Sequence, residues 1–137
     1  MLQFLIADDH ITMRQAIVQL IRDEWPEAFC LEVGDGEQLV ADAGKGRWDM
    51  VVSDIAMPRI SGMKALEMLQ NNFPNLPVLI VSIHREAMYG LSALRAGARG
   101  YLTKSDLQQE LICAIRTILA GCLYVSKDMA VKLGDPS

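Results

Sequence analysis

Gln3-Phe4-Leu5-Ile6-Ala7-Asp8-Asp9 opens the chain with an apolar run that stops abruptly at two acids. The same figure returns in Met50-Val51-Val52-Ser53-Asp54 and, ending on a cation, in Gly100-Tyr101-Leu102-Thr103-Lys104. Val78-Leu79-Ile80-Val81-Ser82 ends on a hydroxyl. Such short, almost wholly apolar runs are strands buried on both faces, and segments of helical period separate them. The alternation predicts an α/β domain of (βα)5 form around a parallel five-stranded sheet. In an open parallel sheet, ligands bind just past the carboxyl ends of the strands. Asp8, Asp9, Asp54, Ser82 and Lys104 are therefore predicted neighbours.

Working outward, the spacing predicts strands over 3–7, 29–33, 49–53, 78–82 and 99–103. Phe29-Cys30-Leu31-Glu32-Val33 partly alternates, as an edge strand with one poorly covered face does. Met13, Ile17, Leu20 and Ile21 mark a first helix that stops at Trp25-Pro26. Gly34-Asp35-Gly36 is turn chemistry, and a short helix runs from Glu37 to Gly44. Met63, Leu66 and Leu69 lie on a third helix ending near Asn71-Asn72-Phe73-Pro74. The fourth and fifth helices cover about 86–96 and 106–120. Gly90 lies inside the fourth, where glycine costs roughly 0.5–1 kcal/mol relative to alanine, and marks it as the least firmly held. Beyond Gly121 the pattern loosens. Ser126 is placed to cap a two-turn helix to Leu133, with Gly134 at its end and Pro136 beyond. The closing Gly-Asp-Pro-Ser reads as a linker cut short. The expected division is a domain over 1–120 and the start of a linker over 121–137.

A chain of 137 residues that is 51% hydrophobic fits one domain with a full core. No apolar run approaches the roughly 20 residues of a membrane span. Met1-Leu2-Gln3 lacks the basic start of a secretory signal, so a cytoplasmic location is expected. The net charge of −4 argues against this segment alone gripping nucleic acid. Cys30, Cys113 and Cys122 show no metal-site spacing and read as small buried hydrophobes of a reduced protein.

Three carboxylates crowded at one sheet edge repel unless a hard divalent cation sits among them. That chemistry suits Mg2+, which takes a few protein oxygens and keeps several waters. With the metal and Lys104 neutralising charge, one of these carboxylates can act as a nucleophile toward a phosphoryl group, and Asp54 projects toward the site from the rigid base of a central strand. The Ser82 hydroxyl and the Lys104 ammonium can both meet that group's oxygens.

Ala7-Asp8-Asp9-His10, Ser53-Asp54-Ile55-Ala56-Met57-Pro58, Val81-Ser82 and Gly97-Ala98-Arg99-Gly100-Tyr101-Leu102-Thr103-Lys104 together resemble the receiver domains of bacterial two-component response regulators. The resemblance spans about residues 3–120. Asp-Asp-His with Arg14, the Gly-Ala-x-Gly-Tyr-Leu-x-Lys string and Gly-x-x-Tyr-Val-Ser at 121–126 are closest to the NarL/FixJ branch. Members of that branch usually carry a LuxR-type helix-turn-helix output domain, absent from this sequence. The resemblance implies a flavodoxin-like doubly wound sheet in strand order 2-1-3-4-5. It implies phosphorylation of Asp54 by a sensor histidine kinase, with Mg2+ held by Asp9, Asp54 and the Ala56 carbonyl and reached by Asp8 mainly through water. Ser82 is then expected to move toward the phosphoryl group while Tyr101 turns inward, changing the face formed by the fourth helix, fifth strand and fifth helix. Control of transcription through DNA binding by the missing domain, homodimerisation on phosphorylation, and no catalysis beyond self-phosphorylation and autodephosphorylation complete the expectation.

Some positions depart from the family pattern. Ser105 follows Lys104 where many receivers have a cis proline, so a trans bond is expected. Arg59 replaces a common glycine after Met-Pro and adds a charge or stiffness to the loop over the site. Ala56 and His84, two residues after Asp54 and Ser82, flank the path of an attacking water and are expected to set the phosphoryl lifetime. Taken singly, His10 reads as a cap or packing residue, Tyr89 as an exposed surface aromatic, and the methionines as core filling, with Met88 on a partner-binding face. The competing functions are a stand-alone receiver acting by protein binding or phosphorelay, a haloacid-dehalogenase-like phosphatase, a flavin carrier and a receiver that has lost phosphorylation. Ala56 stands where such a phosphatase needs a second acid, and the acidic first loop would repel a flavin phosphate.

Overall fold

A computed structural model describes residues 1–134, so the expectation placed on Pro136 lies outside the described residues. Five parallel strands stand in the order β2-β1-β3-β4-β5, as the resemblance implied. They are β1 (Gln3–Ala7), β2 (Phe29–Val33), β3 (Met50–Ser53), β4 (Val78–Ser82) and β5 (Gly100–Thr103). The helices between them are α1 (Ile11–Glu24), α2 (Gly36–Ala43), α3 (Gly62–Asn72), α4 (Glu86–Arg95) and α5 (Leu107–Leu119). A short 3-10 turn over Lys104–Asp106 leads into α5, and α6 (Lys127–Lys132) follows it.

Strand alternation sorts the core into two layers. Phe4, Ile6, Met50, Val52, Leu79, Val81 and Leu102 face α1 and α5. Leu5, Val51, Val78, Ile80 and Tyr101 face the α2–α3–α4 side. β3 and β4 are buried at every position, which is why their sequences run almost without a polar break. β2 is the exposed edge, with Phe29 45% exposed. Caps fix several helix starts: Asp35 accepts from Gln38 N–H, Ser61 from Lys64 N–H and Ser126 from Met129 N–H. Gly134, with φ +80°, ends α6 as its sequence predicts.

Three expectations change. Cys113 and Cys122 are exposed and Cys30 is half-buried, so none is a core hydrophobe. Gly90 is buried, and a Cβ there would lie 2.6 Å from Glu86 Cγ and 3.0 Å from Met129 Cε of α6, so the glycine makes room for the Met129 side chain. Residues after 120 also continue the packing. Met129 is 2% exposed within the α2–α3–α4 layer, and Tyr124 pairs with Gly100 at the edge of the sheet. Met88, by contrast, stands 65% exposed.

Candidate functional site

The carboxyl ends of β1 and β3 are adjacent, with Ala7 paired to Ser53, so the residues that follow meet at one point. Asp54 N–H donates to Ala7 O (3.0 Å), locking the two strand ends together. Asp8 is 1% and Asp54 5% exposed. Asp54 Oδ1 accepts from Ile55 N–H at 2.7 Å, with Ala56 N–H at 3.5 Å. Asp54 Oδ2 lies 3.2 Å from Lys104 Nζ, and the same ammonium is 2.9 Å from Asp8 Oδ2. Lys104 therefore comes from the far side of the sheet to sit between the two buried acids. Burial opposes its charge, but hydrogen bonding to Asp8 and the nearby Asp8 and Asp54 carboxylates outweigh that and hold its pKa above the ordinary value.

The crowding inferred from sequence is real, and the protein answers part of it with its own cation. Asp8 Oδ2 is buried and has the Lys104 ammonium as its charged neighbour. Ligand atoms of Asp8, Asp9, His10 and Asp54 all come within 4.8 Å of one another. An oxygen-rich set of this kind, three carboxylates from the ends of two adjacent strands, fits a hard divalent cation. Asp9 and His10 are the exposed members, at the mouth of the pocket.

His10 occupies the N-cap position of α1 but makes no side-chain cap, so of the two roles read from sequence the capping one does not hold. Its ring instead leans over the acids, Nδ1 lying 3.1 Å from Asp8 Oδ1 and 3.2 Å from Asp9 Oδ1. Arg14 fixes the loop from below: Nη1 donates to Asp8 O (2.7 Å) and Nε to Glu32 (3.2 Å). Gly62 was missed. A Cβ there would fall 1.9 Å from Asp54 O, so only glycine lets α3 start against the backbone of Asp54. A glycine directly after a capping serine was the available signal.

Ser82, fully buried at the end of β4, accepts from His84 N–H (3.1 Å). The Tyr101 hydroxyl donates to His84 O at 2.7 Å. One residue's peptide groups thus tie together the two side chains expected to move. The Tyr101 ring is 3% exposed, so it already points inward in this structure rather than outward. Burial pushes its phenol above the ordinary pKa. The His84 ring meets Tyr89 edge-on at 4.9 Å, and Tyr89 is half-buried rather than exposed. Arg59 has φ +69°, the left-handed region that glycine adopts without strain. Its guanidinium faces Asp35 (3.4 Å) and Glu37 (4.0 Å) at the start of α2, so its charge is directed to that helix. Among the described residues no peptide bond is cis, in line with Ser105 after Lys104.

A family model described as the response regulator receiver domain matches residues 4–116. The glycerol metabolism activator of Pseudomonas putida is 35% identical over 130 residues, covering 94% of this chain and 59% of that protein. The transcriptional regulatory protein UhpA of Salmonella typhimurium is 33% identical over 133 residues, covering 97% of this chain and 66% of that protein. The chain thus spans about three fifths to two thirds of the length of these curated relatives. A crystal structure of a LuxR-family two-component response regulator from Aurantimonas superposes with a TM-score of 0.85 at 30% identity, over 97% of this chain and 95% of that one. With two buried acids and the lysine meeting at the strand ends, and a buried serine ending the neighbouring strand, the chain belongs to the response-regulator receiver domain family, in the company of LuxR-type regulators.

Proposed function

We propose that this chain accepts a phosphoryl group on Asp54 from a sensor histidine kinase and passes the change to its α4–β5–α5 face. The observation that carries the reading is Lys104 Nζ lying within 3.2 Å of both Asp8 and Asp54 above a cluster fit for a cation. In the transfer, an Asp54 carboxylate oxygen forms a bond to phosphorus as the phosphorus–nitrogen bond of a phosphohistidine breaks. The leaving imidazole keeps the electron pair and is protonated from solvent. Lys104 offsets charge on the transferred group, and Ser82 can donate its hydroxyl to a phosphoryl oxygen. Mg2+, held by Asp9, Asp54 and the Ala56 carbonyl with Asp8 behind water, would neutralise the oxygens of the transferring group. Ala56 and His84 flank the route of the water that later hydrolyses the acyl phosphate. The protein turns over nothing but its own phosphoryl group.

The named transcriptional relatives support an output on DNA through a domain beyond this sequence, and the switched face suits a phosphorylation-dependent homodimer. The same reading puts the chain in the cytoplasm; among the described residues no helix is long and apolar enough to cross a membrane. Intact mass after incubation with Mg2+ and a small acyl phosphate is the direct test. Wild type should gain one phosphoryl group and Asp54→Ala none. Labelling of Asp54→Ala would overturn the assignment of the acceptor.

A further inference from the structure

The sheet is complete at β5, yet the chain after α5 turns back across it. Gly121, at φ +93°, reverses the direction. Tyr124 N–H then donates to Arg99 O (2.9 Å), forming a parallel bridge with Gly100 on the free edge of β5. The Tyr124 phenol donates to Glu110 of α5. On the other side Ser126, through both its hydroxyl and its N–H, donates to Glu86 in the first turn of α4. Met129 follows, buried where Gly90 leaves room for it. Residues 122–133 are thus a strap across the α4–β5–α5 face, fastened to α5 at one end and to α4 at the other. Tyr101 and Thr103 floor the cleft beneath it, with Glu86, Glu110, Tyr124 and Ser126 among its walls.

We propose that this strap is the element through which the domain reports its state: seated when Asp54 is free, and released from α4 when Asp54 carries a phosphoryl group. The proposal rests on the phosphoryl-acceptor reading above and adds the path outward. Ser82 is bonded to His84 N–H, and Tyr101 to His84 O. The His84 ring packs on Tyr89 of α4, the same helix that holds the strap through Glu86 and Gly90. When Ser82 turns its hydroxyl to a phosphoryl oxygen, the bond to His84 N–H is given up. The loop that sets Tyr101 and the start of α4 then loses one of its two fixings. A shift of α4 at Glu86 and Gly90 removes the seat of Ser126 and Met129 together. The strap cannot hold its form alone, because a helix of six residues is far below the roughly 12–15 that stand unsupported in water. Release therefore converts α6 into mobile chain at the point where it would lead to an output domain.

Gly90→Ala separates cause from consequence. It leaves the acid pocket untouched and favours helix in α4, yet its methyl would strike Glu86 Cγ at 2.6 Å and Met129 Cε at 3.0 Å, both parts of the seat. The measurement is hydrogen–deuterium exchange on the full chain, with phosphoryl content scored by intact mass in the same samples. Amide exchange over 126–133 should rise on the order of tenfold in phosphorylated wild type, the size of an ordinary allosteric coupling. It should rise as much in unphosphorylated Gly90→Ala, while β3 and β4 stay protected in both. Glu86→Ala, which removes both acceptors for Ser126, repeats the test without a steric demand; it replaces Gly90→Ala should β3 and β4 lose protection. A strap that stays protected in phosphorylated wild type overturns the proposal and leaves the acceptor reading standing. A strap that stays protected in both variants shows that its seat is not on α4. Wild type that gains no mass sinks the acceptor reading and the coupling with it.

Discussion

The acid pocket and the strap both fasten polar groups at the ends of secondary structure, but they do so at opposite levels of cost. In the pocket, Asp8, Asp54 and Lys104 have side chains at most 8% exposed, and three different strands deliver them. In the strap, the polar anchors Glu86, Tyr124 and Ser126 lie at the rim, and only Met129 is fully enclosed. Buried charges hold one another in place because leaving any of them unpaired is expensive. Rim contacts around a single buried side chain open at little cost. The difference suits a rigid site of chemistry beside a reporter that must come and go.

The largest test of this contrast is Lys104→Met. Removing the ammonium leaves Asp8 and Asp54 facing each other in a buried pocket, and breaking a buried pair costs about 3 kcal/mol or more. Urea unfolding at neutral pH without divalent cations should show a loss of that size, and added Mg2+ should recover part of it by binding the folded state. A loss near zero would place the pocket in the same low-cost class as the strap. The pH dependence has a definite sign. Lys104 is held above its ordinary 10.5, so its contribution is complete below that pH and is lost as the pH climbs through the raised folded value.

Met129→Ala comes next. Truncating a methionine in a rigid core costs about 2–5 kcal/mol. Here the global loss cannot exceed the cost of unseating the strap, because the remaining domain can stay folded without it. The expected loss in urea is therefore below about 2 kcal/mol, the lower end for core truncations, with exchange protection lost over 126–133. A full core-sized loss would merge strap and core into one cooperative unit. Alkali should act on the strap as well. Burial, reinforced by Glu110, raises the Tyr124 phenol above its ordinary 10.0, so its neutral form stabilises the strap below pH 10. That contribution fades as the pH rises through the raised value, and Tyr124→Phe should abolish this part of the pH response, read by exchange over 122–133.

The pocket was legible in the sequence and the strap only in part, for a physical reason. A strand end is written locally: four apolar residues followed by an acid place that acid at the sheet edge, whatever the rest of the chain does. Asp8 and Asp54 met on that rule, and the same reading applied to a terminal lysine brought Lys104 between them. Gly90 read alone signals a weak helix, because its partner Met129 lies in another helix and no periodicity points to it. The lean of His10 over the acids depends on a rotamer, which no spacing encodes. Cys113 could have been placed correctly. Leu111, Ala114, Ile115 and Ile118 form the buried stripe of α5, and Cys113 falls on the opposite side.

The smallest effect tests the comparison most sharply, because it sets two rim carboxylates of similar chemistry against each other. Glu24 pairs with Arg116 between α1 and α5, with side chains 39% and 57% exposed. Exposed pairs of this kind are worth about 0–1 kcal/mol. Glu86 on the α4 rim accepts from Ser126 instead. Glu24→Ala and Glu86→Ala should both move the urea midpoint little, each within the roughly 1 kcal/mol of an exposed pair. Their local consequences should differ. The α1 and α5 helices around Glu24 are closed by Ile17, Ile21, Leu111 and Ile115, all nearly fully buried, so losing one ion pair there frees nothing. Glu86 holds Ser126 at the start of α6, in a strap with one buried anchor, so its loss should raise exchange over 126–133 while exchange in α1 and α5 stays as in wild type. Equal local responses would mean that the two faces differ in shape alone, and that the strap is no easier to open than the helices opposite.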